Sequence, residues 1–303
     1  MSKPDYHNRP APEATLEGDR QLFTKVEGTG NDFILIDERR AAHPLSVEAR
    51  IALCDRHFGI GADGVLAVQA TDGGLARMHV TNADGSVPEM CGNGLRCVAW
   101  WLASRDEAPR GSAFTLDTDA GPKAVVVAED DAAVRIDMGP AQFEGVLSSG
   151  ALRSGTIEHE GVALTASAVS MGNPHLVLFD ALDSAVQTAG GRPERWGPTL
   201  SHHPLFPEGA NIGFARQTGD TALDLVVCER GAGLTLACGT GACAAVAAHV
   251  EAGRLPADTP IAVTLPGGPL RIWVSADLRK VTMEGPARIV FEGALPAPAA
   301  SEP

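Results

Sequence analysis

The chain has 303 residues, with 24 Lys and Arg against 38 Asp and Glu, a formal net charge of −14 and a pI near 5.0. That acidity argues against nucleic acid or an anionic membrane as partner, because either calls for a positive surface. No stretch approaches the roughly 20 uninterrupted apolar residues that span a bilayer, and the length suits about two domains, each able to bury its own core.

Six cysteines (Cys54, Cys91, Cys97, Cys228, Cys238, Cys243) are too sparse for a disulfide scaffold. The opening MSKPDYHNRPAPEATLEGDR has no apolar segment of the signal-peptide kind, so the expectation is a cytoplasmic protein with reduced thiols. That stretch (residues 1–20) and the closing ALPAPAASEP (residues 294–303) are rich in Pro, Ala and charge without an apolar period. Both are expected to be disordered extensions, leaving a folded part from Gln21 to Gly293.

Short β-like runs follow in order: Leu22 to Val26, Phe33 to Asp37, Val65 to Val68, Ala76 to Thr81, Lys123 to Ala128, Val134 to Met138, Leu176 to Phe179, Leu223 to Cys228, Ile261 to Leu265, Leu270 to Val274, Val281 to Glu284 and Ala287 to Phe291. Pro266-Gly267-Gly268-Pro269 between two of them predicts a hairpin. Ser46 to Asp55 predicts a helix with Ser46 as N-cap and Val47, Ile51 and Cys54 on one face. Gly94 to Ala103 and Gly241 to Val250 predict two more, each preceded by Cys-Gly-x-Gly and apolar nearly all round. A helix apolar on every side must be buried on every side, so each is expected inside a sheet.

The chain repeats itself. Gly30-Asn31-Asp32-Phe33 opens a strand in the first half and Gly172-Asn173-Pro174-His175 opens one 142 residues later, while Cys91 and Cys238 are 147 residues apart. An internal duplication of this kind implies two halves facing each other across a pseudo-twofold axis, with Cys91 and Cys238 reaching one ligand from opposite sides. Glycines beside each cysteine leave backbone N–H groups uncovered, and each following helix points the positive end of its dipole at the same spot. Such a site suits a carboxylate and is expected to lower the thiol pKa toward neutrality. One thiolate then removes an α-proton while the opposite thiol protonates the far face, which inverts the carbon. A pyridoxal phosphate route needs a Schiff-base lysine; Lys3, Lys25, Lys123 and Lys280 all lie outside the glycine-rich pocket motifs, so the reading is a cofactor-free enzyme.

Lys25-Val-Glu-Gly-Thr-Gly-Asn-Asp-Phe33, Asn82-Ala-Asp-Gly-Ser86, Met90-Cys-Gly-Asn-Gly-Leu-Arg-Cys97, Ser170-Met-Gly-Asn-Pro-His175, Ala210-Asn-Ile-Gly-Phe214, and Glu229-Arg-Gly-Ala-Gly233 running into Ala237-Cys-Gly-Thr-Gly-Ala-Cys243 resemble the diaminopimelate epimerase family, in order, from about Phe23 to Phe291. The resemblance implies a mixed α/β (α+β) fold of two pseudo-symmetric domains, each a mostly antiparallel β-barrel around a central helix, with the active site in the cleft between them. It implies a first domain over 21–138 plus 285–293, a second over 139–284, and a two-base epimerase interconverting LL- and meso-diaminopimelate in lysine and peptidoglycan precursor synthesis. By motif position Cys91 and Cys238 are the acid/base pair. Gly92, Asn93, Gly239 and Thr240 offer donors to the reacting carboxylate; Asn31, Asn82, Asn173, Asn211, Glu229 and Arg230 hold the rest of the substrate. His175 and Glu229 sit where the family tunes the thiols, one charged and one neutral, and Phe291 where it places a homodimer contact. No metal is implied: the cysteine spacings and the absence of a matching His cluster do not suit zinc.

Three positions depart from the family pattern: Gly64 in place of a substrate-contacting Gln, Leu234 in place of a Glu, and Cys228 in place of an aromatic. Read alone, Cys54, Cys97, Cys228 and Cys243 are packed core, His175 fits a core histidine, the four asparagines fit turns, and Trp100 and Trp101 fit the end of a buried helix. His202-His203 lies in a Pro-rich loop without assigned function. A proline racemase or hydroxyproline epimerase shares the fold and paired thiols, but Glu229-Arg230 provides a partner for a distal carboxylate that proline lacks. A phenazine-type isomerase lacks the cysteine pair. A thiol redox switch built on a Cys91–Cys238 disulfide is the alternative from another class.

Overall fold

The computed structural model describes residues 21–40, 44–88, 90–147, 150–182 and 192–295. Of the extensions expected over residues 1–20 and 294–303, residues 1–20 and 296–303 lie outside the described residues. β1 (Leu22–Gly28) and β2 (Asn31–Asp37) form an antiparallel pair; α1 (Val47–Cys54) leads to β3 (Gly64–Gln69), parallel to β2, and β4 (Arg77–Asn82) returns antiparallel. After α2 (Gly92–Ala103), β5 (Ala113–Thr118) lies parallel to β4, and β6 (Lys123–Val127) and β7 (Ala133–Gly139) add antiparallel.

The second half repeats that order. After β8 (Gly155–His159), β9 (Val162–Ser170) and β10 (Pro174–Leu178) pair antiparallel, and α3 (Arg192–Leu200) leads to β11 (Asn211–Gly219), parallel to β10. β12 (Ala222–Glu229) is antiparallel to β11 and carries the short β13 (Gly233–Thr235). After α4 (Gly239–Glu251), β14 (Ile261–Leu265) runs parallel to β12, and β15 (Gly268–Val274) and β16 (Val281–Pro286) close the set. β17 (Arg288–Ala294) pairs with β1 as β8 pairs with β9. The equivalent strands β7 and β16 pair with each other, so one 17-stranded ladder runs through both halves with its seam at β7–β16. The result is a mixed α/β fold of two pseudo-symmetric domains.

α2 and α4 are the two helices the sheets wrap. Leu95, Val98, Ala99 and Leu102 of α2, and Ala244, Ala245, Val246 and Ala247 of α4, have no exposed surface. Cys97 and Cys243 are buried in the same core, and Cys54 and Cys228 are buried in two smaller apolar clusters. Trp101 is buried with its Nε1–H donating to Thr24 Oγ1 (3.1 Å), whereas Trp100 is partly buried under the Arg110 guanidinium.

Two readings from sequence are corrected. Ser46 does cap α1, accepting from Ala49 N–H, but the buried side of that helix is Arg50 and Cys54, with Val47 and Ile51 exposed. Arg50 turns inward because Glu38, also buried, pairs with it at 2.8 Å, so an ion pair takes the place expected of apolar residues. The folded chain also runs past Gly293: Ala294 pairs with Leu22, and Leu295 N–H donates to Gln21 O, so the ordered chain extends beyond the expected boundary. β5, β8, β9, β11, β13 and α3 lie outside the runs that the sequence announces. β9 (VALTASAVS) is rich in Ala and Ser, and α3 holds a Gly and a Pro, Gly197 and Pro198, which read as a break although Trp196 and Leu200 anchor it.

His249 in the last turn of α4 has no exposed surface; Nδ1–H donates to Ala245 O (2.7 Å), Nε2 has no partner, and the ring lies 4.6 Å from Phe179. Burial pushes its pKa down to about 4. A folded-state value below the unfolded 6.5 means stability is complete above pH 6.5 and falls as pH drops toward 4, by roughly 3 kcal/mol in total. Denaturant titrations between pH 7.5 and 4.5 are expected to show this loss, and His249→Gln to make the profile shallower.

Candidate active site

Each thiol caps a helix. Cys91 stands immediately before α2 with φ −131° and its Sγ accepts from Gly94 N–H at 3.3 Å; Cys238 stands before α4 with φ −121° and its Sγ accepts from Gly241 N–H at 3.4 Å. Sulfur occupies the place where a Ser or Asp oxygen usually satisfies a first-turn donor. The two N-termini touch: Asn93 Nδ2 donates from one half to the carbonyl of Ala237 in the other, the residue before Cys238, at 3.2 Å.

The flanking amides repeat the symmetry. Asn93 Nδ2 reaches Asn31 Oδ1 at 3.3 Å in one half, and Asn173 Nδ2 approaches Thr240 Oγ1 at 3.5 Å in the other. Beyond that the halves differ. Thr240 Oγ1 lies 3.5 Å from Cys238 Sγ, and His175 Nε2 bonds Asn173 Oδ1 at 3.0 Å, forming a polar chain behind Cys238. At the place of His175 the first half has Phe33: β2–β3 pairs Phe33 with Gly64 as β10–β11 pairs His175 with Asn211. Asn211 holds its neighbours, donating to Pro174 O (3.2 Å) and accepting from Arg230 N–H (2.9 Å). Glu229 accepts from Thr235 Oγ1 at 2.6 Å and faces the Cys238 thiol. Arg230 Nη1 donates to Glu208 O at 3.2 Å.

At Gly64 the backbones of β3 and β4 approach closely: a Cβ there would stand 2.7 Å from the Thr81 carbonyl. Cys228 packs directly against Gly197 of α3, where a Cβ would stand 2.6 Å from the Cys228 Cβ. Asn82, opposite Gly64 in the ladder, turns its amide to Ser86 Oγ (3.0 Å) within its own turn, and Phe291 lies on β17, edge-on to Phe23 at 5.9 Å.

Asp63 escaped the sequence reading. Its carboxylate accepts from Asn31 Nδ2 (2.6 Å) and Asp32 N–H (3.2 Å) and pairs with Arg56 (2.7 Å), while Asp32 pairs with Arg56 and Lys25. This network fixes the Asn31 amide from behind. Its sequence signal is slight: Asp63 precedes Gly64 in an otherwise ordinary loop. Asn93 Oδ1 and His175 Nδ1 are buried acceptors without a partner.

The electrostatics overturn the expectation of an acidic thiol. Burial pushes Cys91 up to about 11, with Glu229 and Asp63 adding to the rise and Gly94 N–H and Arg96 opposing it. Cys238 is pushed well above the usual thiol range by burial and then by facing Glu229. Burial raises Glu229 and holds His175 neutral, down to about 3, with Arg230 contributing. A helix N-terminus is worth about 0.3–2 kcal/mol, roughly one pKa unit, whereas full burial moves a group by up to about 3–5 units. Desolvation therefore wins at the buried Cys238 and lifts the partly buried Cys91 as well, and the imidazole orients Asn173 rather than supplying a charge.

The two thiols cap equivalent helices of a duplicated fold, on ends joined by the Asn93–Ala237 hydrogen bond, an arrangement that suits an isomerase. Residues 23–144 and 167–290 match the family model described as diaminopimelate epimerase. A diaminopimelate epimerase from Microcystis aeruginosa is 43% identical over 287 residues, spanning 90% of this chain and 98% of that one. The fold is shared with a Bacillus anthracis phenazine biosynthesis protein of the PhzF family (TM-score 0.69, 15% identity, 92% and 100% coverage) and a hydroxyproline epimerase from Agrobacterium vitis (TM-score 0.67, 15%, 92% and 91%). The chain belongs to the diaminopimelate epimerase family.

All six cysteines are free. With both site thiols held neutral, carbamidomethylation of Cys91 by iodoacetamide is expected to be slow at pH 7 and to rise about tenfold per pH unit through pH 9; a plateau by pH 7.5 in mass-spectrometric rates would contradict the burial account.

Proposed function

We propose that this chain interconverts LL- and meso-2,6-diaminopimelate by proton transfer between Cys91 and Cys238, with no cofactor. What supports the reading is the capping geometry: two sulfurs, each at the N-cap of a pseudo-symmetric helix, on N-termini joined by the Asn93–Ala237 hydrogen bond. The pair must shed one proton to act. One sulfur, as thiolate, takes the α-hydrogen as a proton; the other, as thiol, gives its proton to the opposite face, and the two exchange roles.

Negative charge developing on the reacting carboxylate meets two helix N-termini, with Gly92, Asn93, Gly239 and Thr240 as donors, the preorganised electrostatics such a step depends on. The unpartnered Asn93 Oδ1 and the buried Glu229 carboxylate are acceptors suited to the α-ammonium group. Asn31, Asn82, Asn173, Asn211 and Arg230 are assigned to the distal amino-acid end, which proline lacks. The domains are assigned as 21–138 with 285–295, where β17 runs on to Ala294, and as 139–284. A homodimer through the exposed β17 edge, where Phe291 is 48% exposed, completes the reading, with the cytoplasm as the place of work.

In D₂O, reduced protein with LL-diaminopimelate and no added pyridoxal phosphate is expected to lose the substrate α-proton NMR signal and form the meso isomer, while leaving proline and hydroxyproline untouched. Cys91→Ala and Cys238→Ala are each expected to lower inversion by roughly 100- to 10,000-fold with circular dichroism unchanged. Near-normal turnover in either variant would end the two-base account. Because both thiols are pushed upward, kcat/KM is expected to climb from pH 6 to 9.

A further inference from the structure

Met283 is fully buried in the middle of β16, the strand bonded to β15 on one side and to β7 of the other half on the other. A Cβ on Gly92 would stand 2.7 Å from its Cε; a Cβ on Gly239 would stand 3.0 Å from its Sδ and 3.3 Å from its Cε. These glycines are the first residues of α2 and α4, each next to a site thiol. Neither is among the glycines with positive φ, so close approach rather than turn geometry requires glycine there. One thioether therefore fills the space behind both helix N-termini. It is itself held: Arg96 Nη1 lies 3.7 Å from Sδ, while the same guanidinium, with no exposed surface, bonds Thr29 Oγ1 (2.7 Å) and Pro286 O (3.1 Å).

We propose that Met283 is a positioning residue, a spacer wedged between Gly92 and Gly239 that sets the separation of Cys91 and Cys238 and so the width of the slot in which one carbon is reached from both faces. This rests on the two-thiol reading above. Two-face transfer needs reacting atoms about 3–3.5 Å apart on each side, and a 1 Å misplacement costs on the order of 100-fold. The unbranched thioether reaches both glycines, which the shorter side chain of Leu does not.

The test compares Met283→Ala and Met283→Leu with wild type, using folded protein verified by circular dichroism. In D₂O, Met283→Ala is expected to lose at least tenfold in kcat for inversion with KM within about threefold. Deuterium in recovered substrate should rise relative to deuterium in product, because the two transfers are no longer aligned together. Met283→Leu should lie between, and carries the test alone if Met283→Ala fails to fold. A second readout needs no substrate: with glutathione disulfide, two exchange steps release two molecules of glutathione and join Cys91 to Cys238, and removing the wedge is expected to speed that closure severalfold. Unchanged kcat and unchanged closure, or losses that follow thermal stability with the exchange-to-inversion ratio constant, would overturn the spacer role. Failure of wild type itself to invert diaminopimelate would instead overturn the functional reading, leaving the closure rates to judge the wedge.

Discussion

A buried helix N-terminus has to find partners for N–H groups that its own turns cannot satisfy, and the whole architecture is arranged around two of them. Sequences that are apolar on every side carry α2 and α4 into the centres of their sheets, which leaves each N-terminus pointing inward instead of into water. Sulfur from Cys91 and Cys238 takes one donor at each end. Because sulfur is a weak acceptor, the cap engages the donor lightly, and the helix ends retain their attraction for an anion. Pairing of β7 with β16 joins the two halves, and Met283 on β16 packs against the first residue of both helices, so the seam of the ladder also backs the site.

Duplication supplies what inversion at a single carbon demands, equivalent groups on opposite faces. Departures from the symmetry fall where a ligand with different ends would not be symmetric. Asn93 matches Thr240, Phe33 matches His175, and Gly64 matches Asn211, so the second half carries a polar chain from His175 through Asn173 and Thr240 to Cys238. The first half braces Asn31 from outside with Asp63 and Arg56. Equivalent thiols are thus supported by unlike scaffolds: a neutral imidazole on one side, a surface-linked ion-pair network on the other.

Much of this was legible in residue order because the informative signals are local. An all-apolar helix after Cys-Gly-x-Gly declares its burial, and the repeat spacing declares the duplication. Strand β9 was not legible, since the small residues Ala166 and Ala168 carry little apolar signal of their own. They belong to the core only because Leu176 and Leu178 of β10 and Trp196 and Leu200 of α3 close over them. Between them Ser167 is fully buried, and its Oγ accepts from Ser154 N–H at 2.9 Å, a partner in another segment that no periodicity announces. Arg50 and Glu38 on the buried side of α1 illustrate the same limit, because a charged residue reads as solvent-facing until its partner is placed. Asp63 and Met283 were missed for a related reason. Each acts through contacts with residues far away in the chain, and neither carries a motif of its own.

The direction of the thiol shifts follows from comparing magnitudes rather than from the presence of a dipole. Both sulfurs sit where burial outweighs the helix ends, so neither is a standing thiolate. For a reaction that runs both ways this is an advantage: two thiols that are both neutral at rest exchange a proton through one carbon without either direction being held back by a strongly favoured resting charge. The balance is not perfect. Glu229 faces Cys238 and discourages a second negative charge there; it also raises Cys91, where Gly94 N–H and the buried Arg96 of α2 pull the other way. Burial that disfavours a charge on either thiol also strengthens every interaction with the charge once formed, so the dry setting that raises both thiols is the one in which the two helix ends act most strongly on a developing carbanion.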